Sequence, residues 1–398
     1  MDNCVKITFT GDIMCKQQML AQAFQTGKYD FNYMFQDVRD LFSKSDFVVG
    51  NLETPISKDN TNLVHDKYIF NAPSEFGYAI KQNLFDCVSL ANNHCLDRGV
   101  EGLLSTKDFL EEIGLYTLGI NESPILLPKT KIIKNIKFGF LSYTYGTNAD
   151  ENGVYLNKDN RWVVNQIQKQ ELSNPIERYC VKNYKKFFPR CYNKLWRIFH
   201  PILKKRSFCE RRQSSFLEMN RLKQEIKMIK KESPDFLIMC LHIGGQYNDS
   251  PTRYTLKMLN WLKKRDVNVI ITNHEHIVQN CDCTKLENNV FATYCLGNFL
   301  GIGGILQEPY DKLVNYSIAC HIYFNKKNII KITYSILKTV YNNEIKMIKT
   351  VNTSDYFKEL AIEENEILWN DVKKIALRFS GKEIFDYQEE YILYEKQY

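Results

Sequence analysis

The stretch that decides the fold is Val5-Lys6-Ile7-Thr8-Phe9-Thr10-Gly11-Asp12, a short apolar run that ends in a carboxylate. Four later segments repeat this arrangement: Phe47 to Val49 before Glu53, Cys87 to Leu90 before Asn93, Phe236 to Leu241 before His242, and Val267 to Ile271 before His274. In α/β sheets, the loops after the carboxyl ends of strands hold the chemistry. A single Asp or His after a strand is usually a turn or cap residue, but five such segments in one chain indicate a functional site.

Helical patterns lie between these strands, which is typical of an α/β fold with helices covering a sheet. Apolar spacing predicts helices over Met34 to Lys44, Ser74 to Gln82, Val100 to Ile113 and Phe216 to Lys231, and a further helix opening at Ser250-Pro251 and running through Lys264. Lys131 to Ile133 and Phe138 to Ser142 are predicted to form a hairpin. Strand patterns return from Val314 to Lys349, and a helical pattern covers Tyr356 to Phe379.

The length of 398 residues allows one large domain or two. The patterns favour one domain over residues 1–350, interrupted by an insertion at 177–213, and a C-terminal helical extension over 351–398. The content of 44% hydrophobic and 25% charged residues is ordinary for a globular protein and excludes a wholly disordered chain.

Compartment is predicted from three features of the sequence. The chain contains no run of about eighteen apolar residues, which argues against a transmembrane helix. Its first residues, Met1 to Lys6, enter a strand pattern without a signal-peptide core. The twelve cysteines show no framework spacing, so they are expected to be reduced and the protein cytoplasmic. Cys281-Asp282-Cys283 has the wrong spacing for a zinc knuckle and is interpreted as a turn.

The segment from Glu177 to Arg212 carries twelve Lys or Arg and two Asp or Glu, a balance of +10 in a chain whose net charge is +7. Aromatic residues alternate with the basic ones. One interpretation is a solvated helical hairpin that caps the site. The other is contact with an anionic polymer or with acidic lipid headgroups at a membrane surface. No nucleic-acid-binding motif is present, so nucleic acid is not an expected partner.

In their order and their residues, several motifs resemble those of the poly-γ-glutamate capsule biosynthesis (CapA) family, a branch of the calcineurin-like metallophosphoesterases. The matching stretches are Thr10 to Met14, Gly50 to Ile56, Ala91 to Gly99, His242 to Tyr247, His274 to Gln279 and Leu296 to Phe299. They cover roughly the first three quarters of the chain. The resemblance implies a sandwich of two mixed β-sheets flanked by helices, and a role in capsule or exopolymer biosynthesis.

The resemblance also implies a site for two divalent metal ions. Glu53 would bridge the ions, Asp12 and His276 would hold one of them, and the remaining ligands, Asn93, His242 and His274, would hold the other. Mixed nitrogen and oxygen ligands suit manganese, zinc or iron. His94 would act as the acid toward an anionic polymer or phosphoester substrate, and Asp97 would orient His94. Asn298 would support the site, with a turn-forming role as the alternative.

Two departures weaken this expectation. Met14 stands, as in the CapA branch, where metallophosphoesterases generally carry a His, and a thioether is a poor ligand for hard divalent ions. Ile243 and Gln246 replace a Trp and a Glu that the family favours. Three functions therefore stay open: a phosphoesterase-like hydrolase, an enzyme of γ-glutamyl amide hydrolysis or transfer, and a non-catalytic assembly protein held together by its metal site.

Overall fold

The computed structural model describes residues 4–58, 63, 69–168, 170, 215–301, 313–342 and 346–397, with residues 285 and 287 described by their backbone alone. The predicted insertion at 177–213 lies outside these residues. The strands are β1 (Val5–Ile13), β2 (Phe24–Gln25), β3 (Lys28–Tyr29), β4 (Phe47–Leu52), β5 (Ile56–Ser57), β6 (Ala72–Pro73), β7 (Cys87–Ser89), β8 (Tyr116–Leu118), β9 (Thr130–Ile133), β10 (Ile136–Thr144), β11 (Phe236–His242), β12 (Val269–Asn273), β13 (Cys281–Lys285), β14 (Val290–Thr293), β15 (Asn298–Leu300), β16 (Tyr316–Phe324), β17 (Ile329–Asn342), β18 (Met347–Asn352) and β19 (Tyr391–Glu395).

The described α-helices lie mostly between these strands. They are α1 (Gln17–Ala23), α2 (Arg39–Ser43), α3 (Ser74–Gln82), α4 (Gly99–Glu112), α5 (Ala149–Asn152), α6 (Phe216–Lys231), α7 (Arg253–Lys263), α8 (Thr353–Tyr356) and α9 (Ile362–Ser380). Within the described ranges, no helix has the length and apolar character needed to cross a membrane.

Two mixed sheets contain most of the strands. The nine-stranded sheet has the order β18-β17-β16-β1-β4-β7-β8, with β15 beside β1 and β19 beside β17. Its strands β1, β4, β7 and β8 are parallel, whereas β16, β17 and β18 are antiparallel to their neighbours. The six-stranded sheet has the order β13-β14-β12-β11-β10-β9, and its four inner strands are parallel. The predicted fold class, an α/β sandwich of two mixed sheets flanked by helices, is confirmed.

Both faces of each central strand are covered, which explains why these strands are almost continuously apolar. On β11, Phe236 and Ile238 point into the core between the sheets, while Leu237 and Met239 point outward toward α6 and α7. Aromatic rings join the two sheets across that core, with Phe236 and Phe324 at 4.8 Å between ring centroids. The outer face of the nine-stranded sheet packs against α1 to α4.

Several elements lie where the sequence patterns predict them. The hairpin of β9 and β10 pairs Ile133 with Ile136. Helix α3 has the predicted bounds, and α6 begins after Ser215, whose hydroxyl accepts the Glu218 N–H at 3.5 Å. Capping hydroxyls of this kind satisfy amides at a helix start that have no partner within the helix.

Three predicted elements differ in the structure. Met34 to Lys44 contains a 3₁₀ turn at Gln36–Val38 and then the short helix α2, because Met34, Phe35 and Val38 are all buried and the segment winds into the core. The helix expected from Ser250-Pro251 begins at Arg253, capped by Thr252. Cys281-Asp282-Cys283 is part of strand β13 and not a turn, because β14 supplies a pairing partner that local composition does not reveal.

The region after residue 350 contains the expected helix and also a strand. Helix α9 buries Leu368, Val372 and Phe379 in the core between the sheets. Strand β19 then pairs with β17, so the C-terminal residues complete the nine-stranded sheet. The division of the chain at residue 350 stays a prediction.

Gly11 allows two backbone segments to approach each other closely. A Cβ at this position would lie 2.0 Å from the Gly297 carbonyl oxygen, and the Asp12 N–H donates to that oxygen at 3.0 Å. We expect Gly11→Ala to lower the free energy of unfolding by about 1–3 kcal/mol, because backbone must move to relieve the overlap. Urea denaturation would measure this loss. Gly27→Ala is a comparison variant, since its Cβ meets no atom within 4 Å and its φ of 82° makes any loss there one of backbone strain without overlap. Unchanged stability of the Gly11 variant would contradict the close approach.

His321 makes the stability of the fold depend on pH. Its ring is fully buried between Thr8 Oγ1 at 2.7 Å and Ser335 Oγ at 3.0 Å, and burial lowers the pKa of His321 to about 3. An unfolded histidine titrates at about 6.5, so the unfolded chain takes up this proton first and stability falls as pH drops below about 6.5. His321 contributes up to about 1.4 kcal/mol per pH unit to this fall.

We therefore expect His321→Gln to flatten the pH dependence of the free energy of unfolding between pH 6.5 and pH 4. Urea unfolding of both proteins across that range would measure the difference. All other buried histidines are present in both proteins, and Glu390, whose pKa is lowered to about 2 partly by His321, titrates below this range. Parallel pH profiles would refute the assignment.

Candidate metal centre

A β-bulge places Asp12 at the end of the core between the two sheets. Phe9 pairs with Val49 and Asp12 with Asn51, so β1 has three steps where β4 has two. The extra residue reverses the side-chain alternation of β1. Asp12 therefore points to the same side as Phe9, where it meets side chains from β4 and β11.

The two carboxylates of the site are joined by an amide. The Asn51 Nδ2 atom donates to Asp12 Oδ1 at 2.7 Å and to Glu53 Oε1 at 3.3 Å, and it lies 3.3 Å from His242 Nδ1. Asp12 and Glu53 are both fully buried. Ligand atoms of Asp12, Glu53 and His242 all lie within 4.8 Å of one another, which is a group able to hold a metal ion.

Two further predicted ligands meet His242. Its Nε2 atom lies 2.7 Å from Asn93 Oδ1, 3.1 Å from His274 Nδ1 and 3.5 Å from Glu53 Oε1. Strand β11 aims His242 at this point because Phe236, Ile238 and Cys240 occupy the same face two residues apart. The structure thus brings Asn93, His242 and His274 together.

The second His of the 274–276 loop contacts the other carboxylate. His276 Nδ1 lies 3.3 Å from Asp12 Oδ2 and 2.9 Å from Asn298 Oδ1. His274 and His276 have φ values of 110° and 62°, in a region that non-glycine residues rarely adopt. This left-handed backbone lets both rings turn inward from a loop, and strain of this kind is concentrated at functional sites.

The electrostatics of the group fit a bound cation. Burial, and then the neighbouring Asp12 carboxylate, raise the pKa of Glu53 well above its usual range. Burial, and then the neighbouring imidazoles, lower the pKa of both His242 and His274 well below theirs. These histidines are therefore neutral at pH 7, which is the form that binds metals. A cation would also stabilise the charged form of Glu53.

His94 is held in place by Asp97. Its Nδ1 atom lies 2.8 Å from Asp97 Oδ2, which also accepts the backbone N–H of Phe70 at 2.8 Å. The Phe70 ring stacks on the imidazole, with 4.1 Å between ring centroids. The Nε2 atom lies 3.5 Å from Asn148 Nδ2. Asp97 therefore fixes both the ring and the segment that covers it, as expected of an orienting carboxylate.

Several residues of the site were not predicted from the sequence. Asn51 could have been found, because it lies two residues before Glu53 and so shares its side of β4. Tyr145, whose ring centroid lies 4.5 Å from that of His274, and Lys16 carry no comparable signal. Glu275 also has none. Its buried carboxyl packs so closely on Gly244 that a Cβ there would lie 2.1 Å from Oε1.

Comparison with known proteins shows the family of the chain. The sequence model of the family described as "Bacterial capsule synthesis protein PGA_cap" matches residues 6–301, a range that contains every proposed ligand. The chain belongs to this family. The matched range ends at Gly301, just after β15, so β16 to β19 and the C-terminal helices lie beyond it.

Two curated relatives share most of the chain at low identity. The Bacillus anthracis "Capsule biosynthesis protein CapA" is 24% identical over 320 residues, 78% of this chain and 63% of that protein. The Bacillus subtilis (strain 168) "PGA biosynthesis protein CapA" is 22% identical over 324 residues, 80% of this chain and 68% of that protein. The chain thus spans about two thirds of the length of these relatives.

The residues of this PGA_cap-family protein fit a metal ion on their own chemistry. Glu53 Oε2 is buried, and no hydrogen-bond partner for it is found among the described residues. A buried carboxylate oxygen without a partner is costly, and a cation would compensate it. With neutral imidazoles on one side and Asp12 on the other, the donor set is mixed nitrogen and oxygen. The expected contact of segment 177–213 with a polymer or membrane stays a prediction.

Proposed function

We propose that the protein is a metal-dependent hydrolase of the metallophosphoesterase type that acts in capsule or exopolymer biosynthesis. The observation that carries the proposal is the buried Asp12–Glu53–His242 group, which lies beside an oriented and less buried His94. A site with a purely structural metal would have no need of a second imidazole held by its own carboxylate. Membership of the PGA_cap family supports the biosynthetic role.

Two ions are the proposed content of the site. Asp12 and His276, whose atoms lie 3.3 Å apart, would hold one ion, and Asn93, His242 and His274 would hold the other. Glu53 would be shared. When bound, such ions polarise a phosphoryl or carbonyl oxygen and activate water. Manganese, zinc and iron all suit this donor set.

The residues of the chain itself then perform three tasks. Asn51 holds the two carboxylates at a fixed separation through its amide. Tyr145 packs on His274 and limits water on that side. His94, with Nδ1 on Asp97, keeps Nε2 available to donate a proton to the leaving oxygen of the substrate.

A second candidate is hydrolysis or transfer of a γ-glutamyl amide. The name of the Bacillus subtilis relative, "PGA biosynthesis protein CapA", favours this second candidate. The same ligands would serve, since a metal site can polarise an amide carbonyl, and His94 would protonate the leaving amine. A third candidate is a non-catalytic assembly protein, which the Met14 and Gln246 departures favour.

Metal analysis followed by substrate assays separates these functions. The purified protein would be loaded with manganese, zinc or iron(II) and assayed on phosphomonoesters, phosphodiesters and γ-glutamyl peptides. Phosphoester turnover would support the first proposal, and γ-glutamyl turnover alone would support the second. Bound metal without turnover on any of these compounds would leave the assembly role.

The ion that Asp12 and His276 would hold should bind more weakly than the other, because Met14 stands where metallophosphoesterases generally have a His ligand. Titration with Mn²⁺ should therefore show two steps. Met14→His should tighten the weaker step alone, and Met14→Leu serves as the control for a change in packing. If Met14→His leaves both affinities unchanged, residue 14 does not face that ion.

A further inference from the structure

Among the described residues near the site, a cation, an aromatic ring and an imidazole lie next to one another in space. The Lys16 ammonium lies 6.0 Å from the centroid of the Phe70 ring, and that ring stacks on His94. Lys16 is partly exposed, whereas Phe70 and His94 are 6% and 7% exposed. One aromatic ring therefore separates a solvent-accessible positive charge from the proposed acid.

The relative positions of Lys16, Phe70 and His94 are fixed by the fold and not by the lysine side chain alone. Asp97 accepts both the Phe70 N–H and the His94 ring, so the ring and the imidazole keep their spacing. Lys16 comes directly before α1 and only four residues after Asp12. A cation over an aromatic face near a ring centroid is favourably placed.

Charge balance indicates what this cation is for. The groups facing the centre include Asp12, Glu53 and Asp97. Asp12 and Glu53 would hold metal ions, and these ions would bind the reacting group of a substrate. A substrate with a second negative group next to the reacting one would be repelled by these carboxylates unless a positive charge met it. Lysine suits this task because it binds anions as a flexible point charge.

We propose that Lys16, supported by Phe70, binds the anionic group that neighbours the reacting group of the substrate. The substrate class is therefore a compound that carries a second negative group, phosphate or carboxylate, beside the reacting one. This inference rests on the proposed function for the position of the reacting group. It adds a specificity-determining residue outside the ligand set.

Binding measurements on the manganese-loaded protein test the proposal without turnover. Isothermal titration would compare propane-1,3-diphosphonate with propylphosphonate, and γ-glutamylglutamate with glutamate, so that the two pairs distinguish phosphate from carboxylate chemistry. For one of the pairs, the wild-type protein should bind the compound with the additional charge about tenfold more tightly, a difference of about 1.4 kcal/mol. Lys16→Gln should abolish that preference, whereas Lys16→Arg should retain it.

Metal content and circular dichroism would show that the variants are folded and loaded, and Lys16→Met provides a second neutral variant with an apolar stem. A preference that survives in both neutral variants, or that the wild-type protein lacks for both pairs, would overturn the inference. A Lys16-dependent preference in a protein that turns over no substrate would sink the proposed hydrolase and leave the inference standing. Turnover without any such preference would overturn the inference about Lys16 and leave the proposed hydrolase standing.

Discussion

Replacing both His242 and His274 by alanine should remove the bound metal. His274 Nδ1 lies 3.1 Å from His242 Nε2 at the centre of the donor group. Both rings are neutral at pH 7, because burial depresses their pKa. Loss of residues that only support metal ligands typically costs 10–100-fold in affinity, so loss of two ligands should exceed about 100-fold. Elemental analysis after dialysis, together with Mn²⁺ titration, would measure the change.

His94→Ala is the matched control for this loss, since it removes a histidine from the same site that is assigned to the substrate and not to an ion. The control should keep its metal content. If the double variant retains metal at the wild-type level, the assignment of His242 and His274 as ligands is wrong. Circular dichroism would show that the variants are folded, so that loss of metal is not a result of unfolding.

His94→Ala should lower turnover by about 100-fold to 10,000-fold on whichever substrate the protein hydrolyses, the usual contribution of a general acid. The physical reason is that Asp97 fixes the imidazole at 2.8 Å and Phe70 covers one of its faces, so Nε2, which lies 3.5 Å from Asn148 Nδ2, is the atom that would donate to a substrate. Steady-state kinetics with saturating metal would measure the loss as a fall in kcat.

Asp97→Asn tests whether the orienting carboxylate acts through His94. This variant keeps an oxygen that can accept the Phe70 N–H but loses the charge beside Nδ1. It should lower kcat by less than His94→Ala does and shift the pH profile of kcat. The variant that combines Asp97→Asn with His94→Ala should be no slower than His94→Ala alone. Losses that multiply in the double variant would mean that Asp97 and His94 act separately. Loss of metal in His94→Ala would instead make His94 a ligand.

Much of the site could be predicted from the chain because strands alternate with a period of two. Phe47 and Val49 point into the core between the sheets, so the same face of β4 continues to Asn51 and Glu53. On β11 the series Phe236, Ile238 and Cys240 continues to His242 in the same way. At these strands, local pattern and final geometry agree, and Asn51 was missed although the rule includes it.

The same rule fails where the backbone departs from a regular strand. From Phe9, alternation would place Gly11 inward and Asp12 outward, and only the bulge opposite Val49 and Asn51 reverses this. Likewise, alternation from Val269 and Ile271 selects Asn273, whereas His274 and His276 enter the site through left-handed φ values. Neither feature follows from local residue preference, because other parts of the fold impose both.

The sequence by itself therefore determined the class of fold, the strands that carry the ligands, and the chemical types of the donors. These depend on short-range periodicity and on residue type, which any segment carries with it. Only tertiary packing pairs Asp12 with Asn298, fixes Phe70 over His94 through Asp97, and brings Lys16 to 6.0 Å from the Phe70 ring centroid. Such contacts join residues far apart in the chain. Their geometry exists only when both sheets have packed and buried polar groups have found partners.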